Sequence, residues 1–422
     1  MHVYFSGIGG VGIGPLAQIA HDAGYTIVGS DMTESLTTRR LRADGVTVYV
    51  GDQTDENLRR EHETQPIEYF VYTAALPDDH PELVAAHELG IRCLKRDGLL
   101  ARIVSEKNLR MVAVAGTHGK TTTTGLFVWV MKQLGLPVSY SVGTTLSFGP
   151  SGVYDSESQY FVYECDEYDR NFLHYTPRLS LITSLDYDHP DTYPTREQYV
   201  EAFTQFIDQS EHTLLWEKDY DYLENDAIRP LVTVYSHDIA LDHVHLAGTY
   251  LRQNAFLVER AMLRLFPETP YHDLVAAINS YPGTDRRMEQ IDEGIYTDYG
   301  HHPAEIAATL QAAREMSDHV TLVYQPHQNR RQHLIRDEYT DETFASADDI
   351  YWVPTYLSRE DPDLAILSPA ELTARLNPAK VHIAELDDTL WQHIIDARNN
   401  GSTVVCMGAG SIDEWVREKT AS

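Results

Sequence analysis

An α/β fold in three domains, each built on a mainly parallel sheet, is what this sequence predicts, and three observations predict it. Two glycine loops, Gly7-Ile8-Gly9-Gly10-Val11-Gly12 and Gly116-Thr117-His118-Gly119-Lys120-Thr121-Thr122, each lie between an apolar strand-like run and a helical pattern. Short apolar runs alternate with helical patterns to the end of the chain, as strand–helix–strand units require. The length, 422 residues, exceeds what one hydrophobic core serves.

Taken in order, residues 2–6 read as a strand that enters the first glycine loop, and an apolar helical pattern follows through Ala23. A second strand, Thr26–Gly29, ends at Ser30-Asp31. Strand and helix patterns continue through Thr47–Val50, Tyr69–Thr73, Pro81–Leu89 and Arg92–Leu94. A helix at Asp97–Ile103 and the polar segment Ser105-Glu106-Lys107-Asn108 then mark a boundary, giving a doubly wound first domain over 1–107.

The second domain, 108–282, opens on the apolar strand Met111–Ala115, which breaks into the second glycine loop before Leu126–Met131 resumes a helix. Strands follow at Tyr160–Tyr163, ending in Glu164-Cys165-Asp166-Glu167-Tyr168-Asp169, and at Leu179–Ser184, ending in Leu185-Asp186-Tyr187-Asp188-His189-Pro190-Asp191. A helix at 196–209, strands at Thr213–Leu215 and Val232–Tyr235, and a helix from Asn254 to 266 complete it. The turn Tyr281-Pro282-Gly283-Thr284 and the segment Asp285-Arg286-Arg287-Met288-Glu289 read as a hinge.

The third domain, 283–422, begins with the strand Ile295–Thr297, which ends in Asp298-Tyr299-Gly300-His301-His302-Pro303 ahead of a helix from Ala304 to Met316. Val320–Tyr324 is a strand that ends in Gln325-Pro326-His327-Gln328-Asn329-Arg330-Arg331. Further strands at Asp349–Val353, Val381–Ile383 and Thr403–Met407 make a second unit of mononucleotide-binding type.

Composition narrows the partners. Lys plus Arg number 33 against 64 Asp plus Glu, a net charge of −31, which argues against a nucleic-acid surface. Anions must then be held by local devices: glycine loops, helix N-termini, a few arginines and Mg²⁺. No apolar run approaches membrane-spanning length, and HVYFSGIG at the start is no charged-then-apolar leader, so a cytoplasmic location is expected. Cys93, Cys165 and Cys406 are too dispersed for a disulfide framework or a zinc site.

The loops carry the chemistry. Gly116 and Gly119 let backbone N–H groups turn toward a phosphate chain, with Thr117 and His118 between them. Lys120 can reach terminal phosphates, and the Thr121 or Thr122 hydroxyl can sit on Mg²⁺, so the loop reads as a nucleoside triphosphate site. Both acidic clusters fall at strand ends, where open α/β sheets collect ligands. The spacing of Gly7, Gly9 and Gly12 with Asp31 fits a diphosphate on a helix N-terminus, of either a dinucleotide or a nucleotide sugar.

Taken together, GIGGVG, AGTHGKTTTT, YECDEYDRNFL, ITSLDYDHPDTY, YPGTDRRME, TDYGHHPAEI, VYQPHQNRR and MGAGSI resemble, in order, the motifs of the Mur ligase family. That resemblance implies a Rossmann-like N-terminal domain for a UDP-sugar, a central ATPase domain and a Rossmann-like C-terminal domain for the amino acid. It implies an ATP- and Mg²⁺-dependent amide ligation in peptidoglycan precursor synthesis, through an acyl phosphate, of an L-amino acid, L-alanine foremost, to UDP-N-acetylmuramate.

Residue by residue, it places Lys120 on phosphate and Thr121, Glu164 and His189 on magnesium. It assigns Asn254, Arg286, Arg287 and Asp298 to the nucleotide, and His301 and His302 to the neighbourhood of the reacting groups. His327 and Arg331 fall to the amino acid. Gly7, Gly9, Gly10 and Gly12 fall to the UDP diphosphate, and Ser30 and Asp31 to the uridine. Closure of the third domain onto ATP is expected to gate turnover. Ser184 replaces an asparagine and should alter the support of His189; Tyr250-Leu251 replaces His-Asn, and Gln328-Asn329-Arg330 replaces Arg-Tyr-Thr. Competing readings are a ligase that recycles the L-Ala-γ-D-Glu-diaminopimelate tripeptide, an NAD-dependent oxidoreductase, and a silent nucleotide-sugar-binding protein.

Overall fold

The computed structural model describes residues 1–73, 76–189, 192–358 and 360–421, so Asp191, expected beside His189, lies outside the described residues. Strands β1 (His2–Ser6), β2 (Thr26–Asp31), β3 (Thr47–Val50), β4 (Tyr69–Tyr72) and β5 (Arg92–Lys95) form an all-parallel sheet in the order β3-β2-β1-β4-β5. The order reverses at β1, whose carboxyl end feeds the first glycine loop, so that loop lies at the switch point of the sheet.

The second sheet comprises β6 (Arg110–Ala115), β7 (Ser139–Ser141), β8 (Gly152–Val153), β9 (Tyr160–Glu164), β10 (Leu179–Ile182), β11 (Thr213–Trp216) and β12 (Val232–Tyr235). Its order is β12-β11-β10-β6-β9-β7-β8, parallel except for the β7–β8 hairpin. Met111–Ala115 is buried throughout, as a central strand covered on both faces must be. Because β6 pairs with β9 and β10, the strands ending in the two acidic clusters flank the phosphate loop.

The third sheet is built from β13 (Glu289–Asp292), β14 (Ile295–Asp298), β15 (Val320–Tyr324), β16 (Asp349–Trp352), β17 (Val381–Ile383) and β18 (Thr403–Met407). Its order is β13-β14-β18-β15-β16-β17, with β13 alone antiparallel.

The chain forms two compact units. Residues 1–240 with 257–281 make the first, which holds two sheets, and 241–256 with 282–422 make the second. One core runs through both sheets of the first unit, from Val3, Phe5 and Leu99 to Met111, Phe161, Tyr163 and Phe203. In the second unit Tyr324 and Tyr339 pack edge to face on Trp352, and Phe344 lies tilted against the same ring.

Some elements depart from expectation. The helix expected to begin at Asn254 spans Thr249–Leu265, because Gly248, at φ +94°, ends the preceding turn and Tyr250-Leu251 already belong to the first turn. Strand β10 stops at Ile182, since Thr183 and Ser184 bend away to bond the phosphate loop. The phosphate-loop helix runs over Lys120–Gln133, a full turn before its apolar face begins. Threonines enter that helix because Thr123 and Thr124 hydroxyls donate back to the carbonyls of Gly119 and Lys120, at 2.8 Å each.

Candidate active site

The phosphate loop is shaped by its first glycine. Gly116 adopts φ +132°, and a Cβ there would lie 2.5 Å from Thr183 Oγ1 and 2.7 Å from the Ser184 carbonyl oxygen. Only glycine lets the segment after β10 approach this closely. That segment then clamps the loop. The Thr183 hydroxyl donates to the His118 carbonyl at 2.5 Å, the Ser184 hydroxyl accepts from His118 N–H at 3.0 Å, and Asp186 N–H donates to Thr117 Oγ1 at 2.7 Å. Ser184 therefore supports His118.

Lys120 Nζ donates to the Gly116 and Thr117 carbonyls and forms an ion pair with Glu167 at 2.8 Å. Glu167 is fully buried and also faces His189 Nε2 at 3.6 Å. Burial alone would raise the Glu167 carboxyl, but the Lys120 charge and the His189 hydrogen bond hold it below the usual range. Burial opposes the charge on His189 too, and Glu167 and Asp188 outweigh it, raising the imidazole. His189 also carries a positive φ of 57°. Glu167 was absent from the sequence-derived site. The run Glu164-Cys165-Asp166-Glu167 offers two glutamates, and only the point at which β9 ends separates their roles.

Glu164, at the carboxyl end of β9, accepts the Thr121 hydroxyl at 2.7 Å and Gly143 N–H at 2.6 Å. Thr121 rather than Thr122 thus faces the acidic cluster. Asp166 lies beside them, its carboxyl raised by burial and by the Glu167 charge. A hydroxyl with converging carboxylates is an all-oxygen donor set of the kind a hard divalent cation takes, so these residues fit magnesium.

At the first glycine loop, Gly7 and Ile8 N–H groups donate to the Ser30 carbonyl at 2.8 and 2.9 Å. Gly9 N–H donates to Asp31 Oδ2 at 2.8 Å and Gly10 N–H to the Gly7 carbonyl at 3.0 Å. Gly12 starts the helix Ile13–Asp22 with no side-chain cap. Ser30 is buried, and its hydroxyl accepts from Gln53 at 2.8 Å. A cavity of about 320 Å³ extends from this loop to the phosphate loop, lined by Val11, Gly12, Lys120, Gly143, Glu164 and Asp166 among others.

Within the second unit the predicted residues gather at the carboxyl ends of β14 and β15. Asp298 is buried and accepts N–H groups of Gly300 and Met288 at 2.7 and 2.9 Å; burial raises its carboxyl. Arg286 stacks on Tyr299, donates to the Gly408 carbonyl at 3.1 Å and sits 3.3 Å from Asp413; Arg287 lies over the same ring. His302 caps the helix Pro303–Met316 by accepting Ala304 N–H at 3.4 Å, while His301 Nδ1 lies 3.2 Å from the Tyr299 carbonyl. His327 stacks on Tyr356 with ring centroids 5.8 Å apart and faces His301 at 6.3 Å. Burial lowers the His327 imidazole. Arg331 Nη1 is buried without a hydrogen-bond partner among the described residues, a donor that a ligand carboxylate would satisfy. Asn254 is buried in the part of its helix that belongs to this unit.

Three α/β sheets in series, the middle one presenting a lysine–threonine phosphate loop to buried acids, define a three-domain phosphate-loop nucleotide-binding protein. Family models match the chain in the same order: the catalytic domain of the Mur ligase family over residues 2–108, the Mur ligase middle domain over 114–258 and the Mur ligase glutamate ligase domain over 286–410. The chain belongs to the Mur ligase family.

A UDP-N-acetylmuramate–L-alanine ligase of Nocardioides sp. is 34% identical over 97% of this chain and 93% of the relative. One of Gloeobacter violaceus is 30% identical over 98% and 94%. Among solved structures, the UDP-N-acetylmuramate-alanine ligase MurC of Thermotoga maritima aligns with a TM-score of 0.75 at 20% identity, over 100% of this chain and 98% of that one. A murein peptide ligase of Psychrobacter arcticus aligns with a TM-score of 0.64 at 21% identity, over 100% and 98%. These structural likenesses establish the fold.

Proposed function

We propose that this protein is an ATP-dependent ligase that joins L-alanine to the lactyl carboxylate of UDP-N-acetylmuramate in peptidoglycan precursor synthesis, acting in the cytoplasm. The observation that carries the reading is the Lys120–Glu167–His189 array beside Thr121 and Glu164, found in a chain whose full-length relatives bear that name. Residues 1–107 are assigned to the UDP-sugar, 108–282 to ATP and 283–422 to the amino acid.

The chemistry follows from the substrates. A carboxylate is a poor acyl donor until one of its oxygens becomes a leaving group. A lactyl oxygen attacks the γ-phosphorus, the bond to the β-phosphate oxygen breaks, and ADP leaves with that electron pair. The amine of alanine then attacks the acyl carbon, the carbon–oxygen bond to phosphate breaks, and phosphate departs as the amine loses a proton. The protein's work is positioning and neutralisation of charge.

Lys120 is assigned to the terminal phosphates, exchanging one of its carbonyl acceptors for a phosphate oxygen. Thr121 and Glu164, with His189 beside them, would hold magnesium, which when bound offsets charge on the β- and γ-phosphates. Arg331 is assigned to the carboxylate of alanine, with His327 beside it. Arg286, Arg287, Asp298 and Asn254 remain our nucleotide assignments, and His301 and His302 those near the reacting groups. His302 combines that assignment with its capping role.

The test is phosphate release from ATP with UDP-N-acetylmuramate and a panel of amines, with mass detection of product. L-alanine is expected to give release and the matching amide, and Lys120→Met to abolish both. Release only with the tripeptide would move the assignment to recycling. Absence of release with every amine would overturn the ligase reading.

A further inference from the structure

The middle sheet carries a second concave feature, at the end away from the phosphate loop. Arg110 opens β6, Tyr160 opens β9 and Leu179 opens β10, with His212 just ahead of β11. These residues line a cavity of about 270 Å³ together with Arg178, Glu211 and the last turn of the helix Thr249–Leu265. Strand β6 runs from Arg110 to the loop, so at about 3.3 Å per residue the cavity is about 20 Å from Gly116. Open α/β sheets take nucleotides at the carboxyl ends of their strands; this cavity is at the amino ends and belongs to neither glycine loop.

Its lining is cationic in an acidic chain. Acids outnumber bases 64 to 33 overall, yet three arginines face one acid, Glu211, among the described residues around the cavity. Glu211 is already ion-paired with Arg178. The guanidinium groups of Arg110 and Arg264 have no acceptor among the described residues. Phe266 packs edge to face on Tyr160 with ring centroids 5.3 Å apart, which fixes the end of the helix that carries Arg264 over the amino end of β9. His212 Nε2 lies 2.8 Å from Thr233 Oγ1, and burial together with the Arg264 charge lowers its imidazole, as uncompensated positive charge inside the cavity would.

We infer that this cavity is a second anion site, taking a phosphate group, free or as the head of a small phosphomonoester, between the guanidinium groups of Arg110 and Arg264. Two planar guanidinium forks supply directed, charge-assisted hydrogen bonds to its oxygens. The volume falls just under the range of about 300–1,000 Å³ that drug-sized ligands occupy, which suits a small phosphate rather than a second nucleoside triphosphate. Strands β6, β9 and β10 carry the phosphate loop and both acidic clusters at their other ends, so an anion held here ties together the three strands on which those clusters are mounted. The inference stands independently of the ligase reading.

The test is titration of the full chain with inorganic phosphate, read as melting temperature at an ionic strength held constant with chloride, with Mg²⁺ and a saturating non-hydrolysable ATP analogue on the phosphate loop. Wild type is expected to gain stability saturably. Arg110→Gln/Arg264→Gln is expected to move the midpoint of that gain about tenfold or more to higher phosphate, while Lys120→Met keeps the wild-type midpoint. Glucose 6-phosphate titrated in parallel separates the two sources: a midpoint below that of phosphate identifies a phosphomonoester, one above it the free ion. No saturable gain in wild type with either probe, or an equal midpoint in the double variant, would overturn the site. A gain lost in Lys120→Met would also overturn it, by placing the anion at the phosphate loop. Should the double variant not fold, Arg264→Gln alone carries the comparison, and an unchanged midpoint there would overturn the site.

Discussion

Replacing Glu167 by glutamine would leave the buried Lys120 ammonium facing a neutral amide. Removing one partner of a buried ion pair costs about 3–5 kcal/mol, and Glu167 is shared with His189, so Glu167→Gln is expected at the upper end of that range. Urea denaturation checks it, and a loss under about 1 kcal/mol would show that the pair is not the local keystone. Asp219 predicts the opposite sign. It is buried, accepts the Leu185 N–H at 2.8 Å, and burial pushes its carboxyl up to about 6. Because the folded protein binds this proton more tightly than the unfolded chain does, the Asp219 contribution improves as pH falls from about 6 toward about 4 and is lost as pH rises. Asp219→Asn is therefore expected to stabilise the protein at neutral pH by about 1–3 kcal/mol and to flatten the pH slope in that window. Denaturation at both ends of the window reads this directly; a destabilised variant at neutral pH would contradict it.

Among the elements, the phosphate loop is the one most exposed to a single methyl group. Gly116→Ala combines a left-handed backbone with a Cβ inside contact distance of Thr183 and Ser184. The expected cost is about 2–4 kcal/mol, with loss of ATP-analogue binding measured by fluorescence. Retained nucleotide affinity would mean that the loop can re-form around the methyl. This loop was legible in the sequence because Gly116, Gly119 and Lys120 have conformational and chemical duties that only those residue types perform. The helix beginning at Thr249 was not, since Thr-Tyr-Leu-Arg-Gln has no apolar face until Ala255. The strands β7, β8 and β13 were missed because Ser-Tyr-Ser, Gly-Val and Glu-Gln-Ile-Asp are not apolar runs of the kind that marked the other short strands. Glu167 was hidden for another reason: what sets its role is the company of Lys120 and His189, residues distant in the chain.

For the molecule as a whole, the charge of −31 is spread along the chain, so self-repulsion opposes the compact state. Raising salt from about 0.01 M to about 1 M shortens the screening length from about 30 Å to about 3 Å, and the melting temperature is expected to rise by several degrees. A melting temperature that falls over that range would mean that the ion pairs, such as Arg252–Glu315, outweigh the repulsion. Glu315 is held at about 2 by Arg252 first, and its contribution is present at neutral pH and fades as pH falls through about 4 toward about 2. The core shared by the first two sheets has a different consequence. Tyr163 and Tyr175 of the middle sheet's unit complete a network on Asp97, and Gly152 lies against Pro15, so a cut near residue 108 would sever one continuous interior. Anyone grafting a new sugar-nucleotide preference from a homologue should transplant the first 240 residues with 257–281 as one cassette. Shuffling at the boundary that the polar Ser105-Glu106-Lys107-Asn108 segment advertises would yield chimeras with two half-interfaces from different parents.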